Sequence, residues 1–168
     1  HKVEKSENFG QAMAEAMYHW SATDPIGHMG QLHNTDPGYT GPMVPGAWQP
    51  TPPLYGMPVQ PHWGNARVFV TGNNAGQCLP ALPVPFSTMP GSPFYDQAFQ
   101  AYQTVNQLND EQKTIALYWA DGSGTITPPG HMISIATQVL IKKGAALDEA
   151  AETYCKTGMA LNDAFVAC

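Results

Sequence analysis

Apolar side chains recur at helical spacing near both ends of the chain. Near the start, an aromatic or methionine side chain stands at every third or fourth position: Phe9, Met13, Met17 and Trp20. The same interval recurs later, in Tyr95, Phe99, Tyr102 and Val105. This periodicity predicts a helix within residues 1–23 and another from Pro93 to about Leu108, each with its apolar face towards a core.

The ends of the later helices carry their own sequence signals. Ser92 before Pro93 is typical of an N-cap followed by the first helical residue. Asn109 with Gln112 fits a capping box. Lys142 and Lys143 before Gly144 are typical of a helix C-terminus. The further predicted helices cover residues 109–120, 127–143 and 147–168.

The segment between these helical regions has a different composition. Residues 24–93 hold 14 of the 16 prolines and 10 of the 16 glycines, but only three charged residues. So many prolines exclude regular helix and disrupt sheet ladders, and the strand-like run Arg67–Val70 is too short to found a sheet. Because the segment also carries large aromatic side chains, we expect it to be ordered.

These patterns predict an all-α fold: a helical bundle with a long Pro/Gly-rich irregular segment wrapped over it. We expect a single helical unit over residues 1–168, with a helix in 1–23, the wrap in 24–93 and helices in 94–168.

Charge and cysteine content exclude several functions. The 168 residues carry a net charge of −6 and only 12% of them are charged. Without a Lys/Arg cluster, nucleic acid and anionic lipid are poor partners, and no apolar run is long enough for a transmembrane segment. Cys78, Cys155 and Cys168 show no zinc-ligand spacing, and the last two lie too far apart on one helix to pair. We expect buried free thiols. The alternative is one disulfide plus one free thiol.

His131 is the most suggestive single residue. The sequence Pro128-Pro129-Gly130-His131 stands where a helix begins, and a helix N-terminus presents free N–H groups to an anion. The alternative is that the prolines simply start the helix and that His131 is hydrogen-bonded structurally. Asp121, in an Asp-Gly-Ser-Gly turn after Trp119, lacks the lysine of a phosphate-binding loop and is interpreted as a turn residue.

A second cluster mixes histidine and carboxylate side chains: Asp24, His28, His33 and Asp36. This chemistry suits a metal ion, but the spacing matches no standard zinc or calcium pattern. Hydrogen bonds that fix a loop are the alternative, and no metal ligand is assigned.

Five segments, read in order, resemble one family. They are Gly46–Pro53, Val59–Asn65, Ala116–Gly122, Thr127–Met132 and Ala160–Cys168. Together they resemble the N-terminal half of bacterial vanadium-dependent haloperoxidase-like proteins, in the superfamily shared with type 2 phosphatidic-acid phosphatases. The resemblance covers roughly residues 40–168.

The resemblance implies an all-helical enzyme in which vanadate, or phosphate in the phosphatases, is held by cationic residues and a Pro-Ser-Gly-His stretch. In the peroxidases, vanadate activates hydrogen peroxide to oxidise halide. Here Pro129 stands in place of the serine, and the family has its own Pro-Pro-Gly-His at this upstream place. Arg67 is the only arginine. No vanadate ligand, catalytic residue or metal ligand is therefore assigned, and His131 stays a catalytic candidate only.

In the family, the cationic residues follow the segment that ends here at Cys168. We therefore expect an N-terminal portion of a haloperoxidase-like enzyme, inactive alone, with its oxyanion site beyond Cys168 or in a companion chain. The alternatives are an acid phosphatase of the same superfamily and a non-catalytic binding or structural protein derived from that fold.

Further expectations concern the last helix and the surroundings of the chain. Phe165 and Val166 should pack against the remaining C-terminal helical part of the enzyme, and Asp163 should orient that part. Trp119 and Asp121 are further structural candidates. The start at His1, without an initiator methionine or a signal peptide, suggests processed or trimmed ends. We also expect a secreted or periplasmic protein. The sequence leaves open whether the chain forms a homo-oligomer.

Overall fold

The computed structural model describes residues 2–73, 76–122 and 124–168, except for the side chains of Gln31 and His33. Within these residues lie five α-helices: α1 (Lys2–Ala22), α2 (Pro93–Asn106), α3 (Asp110–Trp119), α4 (Thr127–Lys143) and α5 (Leu147–Ala167). The described residues contain no β-strand, so the predicted all-α fold is confirmed. None of the described helices is long and apolar enough to cross a membrane.

Local capping explains where the helices begin and end. The Ser92 hydroxyl accepts a hydrogen bond from the Tyr95 N–H, with Pro93 at the first helical position. Asn109 and Gln112 form the complete capping box of α3. Gly144 ends α4 in the left-handed conformation, at φ +65°, which glycine adopts without steric cost.

The segment between α1 and α2 is irregular, as its prolines predict. Its described part contains two short 3₁₀ helices, Gly30–His33 and Trp63–Asn65. The remainder consists of turns, bends and coil, including the run Arg67–Val70. Proline lacks the N–H group that regular structure needs, so the backbone is satisfied here by turns and by side chains.

The chain divides into two compact units. Unit 1 comprises His1–Gly41, Gln49–Leu79 and Asn162–Cys168. It contains α1, most of the irregular segment and the C-terminal end of α5, and its buried side chains are Val166, Ala66, Asp24 and Asp163. Two of these four are carboxylates, so hydrogen bonds contribute much of its organisation.

Unit 2 comprises Pro42–Trp48 and Pro80–Leu161, and holds α2, α3, α4 and most of α5. Its buried side chains are His131 and Leu140. The Thr137 hydroxyl of α4 and the Tyr154 hydroxyl of α5 lie 2.8 Å apart, within hydrogen-bond distance. Phe86 packs edge-to-face on Phe94, with ring centroids 5.0 Å apart. The expected single helical unit stays a prediction.

Several side chains expected in a core are exposed. On α1, Phe9 is 69% exposed and Met13 is 48% exposed, while Phe99 on α2 is 43% exposed. Among the described residues of this chain, no core covers these faces. Periodicity identifies which face of a helix is apolar, but it does not identify the polypeptide that covers that face. The expectation of buried thiols is also wrong, because all three cysteines are free and exposed.

Candidate functional site

His131 lies in a small polar and aromatic cluster of unit 2. Its Nδ1 atom is 2.7 Å from Oδ2 of Asp121, and the two side chains are only 7% and 10% exposed. The Trp119 ring stacks on the imidazole at 4.7 Å with an interplanar angle of 13°. The Tyr118 ring meets it edge-on at 4.9 Å. The imidazole is therefore fixed by a carboxylate and by two aromatic rings.

Two helix ends bring this cluster together. Trp119 is the last residue of α3, and His131 lies in the first turns of α4. Two strained residues lie between Trp119 and His131: Asp121, in the loop, has φ +40°, and Thr127, the first residue of α4, has φ +63°. Such strain persists only where surrounding contacts over-determine the backbone, and the Asp121–His131 bond is one such contact.

The geometry defines what His131 offers chemically. Of the two tautomers of an imidazole, a carboxylate at Nδ1 selects the one with its proton on Nδ1, in which Nε2 is an acceptor. Among the described residues, Nε2 has no hydrogen-bond partner; Ser123, in the adjoining turn, lies outside them. Pro128 and Pro129 remove two N–H donors from the start of α4, which weakens any anion site there. The cluster therefore presents an oriented base rather than an anion cradle.

Asp163 forms a second buried site, in unit 1. Its Oδ1 accepts hydrogen bonds from the Phe69 N–H at 2.7 Å and from Nδ2 of Asn162 at 3.1 Å. Its Oδ2 accepts from the Val70 N–H at 2.9 Å and from Nδ2 of Asn73 at 3.0 Å. The carboxylate, 2% exposed, thus holds the irregular segment of this same chain.

These hydrogen bonds determine the ionisation of Asp163. Burial by itself raises the pKa of the carboxyl, because it disfavours the charged form. The N–H groups of Phe69 and Val70, followed by the two asparagine side chains, outweigh burial and lower the pKa to about 2. The carboxylate is therefore ionised throughout the neutral range.

Asp24 and Arg67 make a related arrangement at the end of α1. The Asp24 carboxylate accepts hydrogen bonds from the Arg67 N–H at 2.8 Å and the Ile26 N–H at 3.1 Å. Burial raises the pKa of this carboxyl, but its backbone hydrogen bonds, led by that of Arg67, outweigh burial and keep the pKa below its usual value. Asp24 therefore fixes a loop.

The side chains of His28 and Asp36, two other members of the predicted His/carboxylate cluster, have partners other than the Asp24 carboxylate. Nδ1 of His28 lies 3.2 Å from the Ser21 hydroxyl, and Nε2 of His62 lies 2.8 Å from Oδ2 of Asp36. The His33 side chain lies outside the described residues. Within the part of the chain that the structure describes, no group of three or more His, Cys, Asp or Glu residues could hold a metal ion.

The residues present do not fit vanadate. The guanidinium of Arg67 donates to the backbone oxygens of Trp20 at 2.8 Å and Thr23 at 3.0 Å, and it lies over the Trp20 ring. Two of its donors therefore cap the end of α1. An oxyanion needs several convergent cationic donors, and no such set occurs among the described side chains.

The last turn of α5 agrees with the sequence expectation in part. Val166 is 1% exposed and is covered within this chain, so the expectation that it packs against a further segment is wrong. Phe165 remains 54% exposed, although its ring lies 5.4 Å from that of Trp63. The sequence also missed Asn73 and Asn162 as partners of Asp163. An adjacent Asn-Asp pair within an otherwise apolar stretch of α5 was the available signal.

Comparison with known proteins gives one informative similarity. The crystal structure of a bacterial vanadium-dependent iodoperoxidase has a similar fold, with a TM-score of 0.80 and 29% sequence identity. The match covers 98% of this chain but 41% of the iodoperoxidase chain, so this chain spans about two fifths of that protein. No protein-family model matches the chain, and no curated protein matches it.

Proposed function

We propose that this chain is the N-terminal portion of a haloperoxidase-like enzyme that oxidises halide with hydrogen peroxide, and that further polypeptide carries the oxyanion site. The main observation in support is the structural similarity between 98% of this chain and about two fifths of a vanadium-dependent iodoperoxidase. Iodide is therefore the first halide to test. A secreted or periplasmic location accompanies this proposal as a prediction.

The chemistry of the chain supports a site located elsewhere. Vanadate would have to be held by cationic groups, whereas Arg67 is committed to the carbonyls at the end of α1. When bound, vanadate would supply the activation of peroxide. The residues of this chain would hold its own segments in place: Asp163 holds residues 69–73 against α5, and Asp121 orients the His131 ring.

The surface of the chain supports a large covering partner. Among the described residues, the buried hydrophobic side chains are only Ala66, Leu140 and Val166. The chain exposes 13,410 Å² at a mass of 18.1 kDa, whereas a folded monomer of this mass exposes about 8,000 Å². The excess is roughly 5,000 Å² on this chain alone, more than one side of a permanent interface usually buries. Helical polypeptide equivalent to the rest of the iodoperoxidase would be such a partner.

The decisive experiment compares native material with the 168-residue chain. The native protein is isolated from its source with an antibody to this chain, and its intact mass and its oxidation of iodide by peroxide are measured with and without added vanadate. We expect a polypeptide or complex well above 18.1 kDa that requires vanadate for turnover. The purified 168-residue chain is the matched control and should be inactive, because it lacks an oxyanion clamp.

Two results would overturn the proposal. One is vanadate-dependent iodide oxidation by the purified chain alone. The other is native material of the mass of this chain that has no turnover, which would favour a non-catalytic binding or structural protein. A phosphate ester tested on the same native material distinguishes the acid phosphatase alternative, and we expect no hydrolysis.

A further inference from the structure

His131 has a ring nitrogen to which the proposed function gives no role. Its Nδ1 atom is bound to Asp121, whereas its Nε2 atom has no hydrogen-bond partner within residues 2–73, 76–122 and 124–168. We propose that Nε2 accepts a hydrogen bond from a side-chain N–H or O–H group of the further polypeptide, and thereby positions that polypeptide on unit 2. This inference rests on the proposed function, because it requires that polypeptide.

The His131 ring is held firmly enough to act as a docking point. Its side chain is 7% exposed, and Oδ2 of Asp121 lies 2.7 Å from Nδ1. The Trp119 ring stacks on the imidazole and the Tyr118 ring contacts it edge-on, so the imidazole cannot turn freely. In the tautomer that the carboxylate selects, Nε2 therefore presents one lone pair in a fixed direction.

Nε2 can be reached from outside, although the residue is buried. Within the part of the chain that the structure describes, Nε1 of Trp63 is the side-chain polar atom that is both fully enclosed and unpaired. Nε2 of His131 is also unpaired but is not fully enclosed. A donor from another segment can therefore approach it without displacing the aromatic rings.

The surroundings of His131 favour a covering segment at this place. Tyr118, Trp119 and Ile126 have large apolar or aromatic side chains, and each is more than half exposed. A helical segment packed on them would remove this surface from water and would also enclose Nε2. Because a buried acceptor without a partner is unfavourable, we expect the covering segment to bring a donor to Nε2.

The chemistry of the neighbouring groups narrows the origin of the donor. Pro128 and Pro129 have no N–H group, and the Asp121 carboxylate is an acceptor. In a helical partner, the interior backbone N–H groups are already bonded within their own helix. The donor is therefore expected on a side chain of the further polypeptide.

The first measurement compares the reactivity of His131 in two forms of the protein. The native protein, isolated as for the proposed function, and the purified 168-residue chain are treated with diethyl pyrocarbonate at pH 8, where an ordinary imidazole is neutral. The reagent acylates a free imidazole nitrogen, and peptide mass spectrometry gives the rate at His131. We expect this rate to be at least about tenfold lower in the native protein, because Nε2 is bonded and covered there. The denatured chain provides the reference rate.

Two substitutions separate docking from the stability of unit 2. His131→Asn places an amide N–H near the position of Nδ1 and can keep the bond to Asp121, but it has no atom at the position of Nε2. His131→Gln places an amide oxygen near the position of Nε2 and loses the bond to Asp121. In the isolated chain, His131→Asn should therefore be the less destabilising of the two in urea unfolding.

The order should reverse in the complete protein. For each variant, amide exchange of residues 118–132 is measured in the isolated chain and in the complete protein, so that local effects of the substitution cancel in the ratio. We expect His131→Gln to keep the slowing that the complete protein provides, and His131→Asn to reduce it about tenfold. His62→Asn and His62→Gln, at an exposed His–carboxylate pair of unit 1, are the matched controls and should change it less than about twofold.

Three outcomes would overturn the proposal. The first is an equal rate of acylation at His131 in the isolated chain and in native protein of a mass well above 18.1 kDa, which leaves the proposed function standing. The second is an equal loss of slowing in His131→Asn and His131→Gln, which a purely structural role of His131 would produce. The third is native material of the mass of this chain, which overturns the proposed function as well. The intact mass therefore distinguishes the two failures.

Discussion

Replacing Asp163 by asparagine tests how the irregular segment is held. The change keeps the size of the side chain but replaces one carboxylate oxygen by an NH₂ group. Each oxygen of Asp163 accepts two hydrogen bonds, one of them from a backbone N–H of Phe69 or Val70. In either orientation of the new amide, two donors therefore face another donor, and one buried backbone N–H loses its partner.

The expected cost follows from these contacts. Hydrogen bonds to a charged group contribute about 1.5–3 kcal/mol each, and an unpaired buried donor is itself unfavourable. The pKa of Asp163 is about 2 in the folded protein and about 3.9 in an unfolded chain, and this difference corresponds to about 2–3 kcal/mol from ionisation alone. We expect Asp163→Asn to lower the free energy of unfolding by about 3 kcal/mol at pH 7.

The pH dependence provides a second readout. Because folding lowers the pKa of Asp163, its ionised form stabilises the protein fully above about pH 4. This contribution is lost as the pH falls from there through about 2. The variant has no such titration at position 163. The difference between the two proteins should therefore shrink from about 3 kcal/mol at pH 7 to about 1 kcal/mol near pH 2.

Urea unfolding, followed by tryptophan fluorescence and by helical circular dichroism at both pH values, measures this difference. Asp148→Asn is the matched control, because Asp148 is an exposed aspartate in the first turn of the same helix α5. Its loss should cost less than about 1 kcal/mol, from the helix dipole. The reasoning fails if the two variants are equally stable at pH 7, or if the deficit of Asp163→Asn is independent of pH.

Three further predictions concern individual contacts. In Arg67→Lys, the new side chain has no planar group that can donate to two carbonyls at once, so amide exchange in the last turn of α1 should accelerate about tenfold. Unchanged exchange would contradict the capping role. Asn109→Ala removes the capping box of α3 and should cost about 1 kcal/mol in urea unfolding; an effect under a few tenths would contradict it. A double-mutant cycle of Asp121→Asn and His131→Gln should give a coupling of about 1–2 kcal/mol, since both side chains are buried and in contact. Additive effects would show that the pair is not energetically linked.

Local features of the fold were predictable from the sequence because their causes lie within a few residues. The capping box of α3 involves two side chains three residues apart, and Gly144 supplies the backbone conformation that ends α4. The prolines of the irregular segment exclude helix wherever it folds. For such features, no knowledge of the tertiary structure is needed.

The candidate site was less predictable because its contacts join distant positions. The Phe69 N–H reaches a carboxylate 94 residues later in the chain, and Arg67 reaches a carboxylate 43 residues earlier. An aspartate in a helix looks the same in sequence whether it faces solvent or a buried backbone. The sequence predicted that Asp163 orients the remaining C-terminal part of the enzyme, whereas the structure shows that its carboxylate holds residues 69–73 of this chain.

The two buried carboxylates of unit 1 explain how a proline-rich segment is organised without a sheet. Asp24 accepts the N–H of Arg67, and Asp163 accepts those of Phe69 and Val70, while Nδ2 of Asn162 donates to the carbonyl of Arg67 at 3.1 Å. Side chains thus take the place of a neighbouring strand for this run of residues. Because such bonds depend on two ionised groups rather than on a repeating ladder, a single substitution at either carboxylate should loosen the whole run. This concentration of stability makes unit 1 more sensitive to point substitution than its exposed apolar faces suggest.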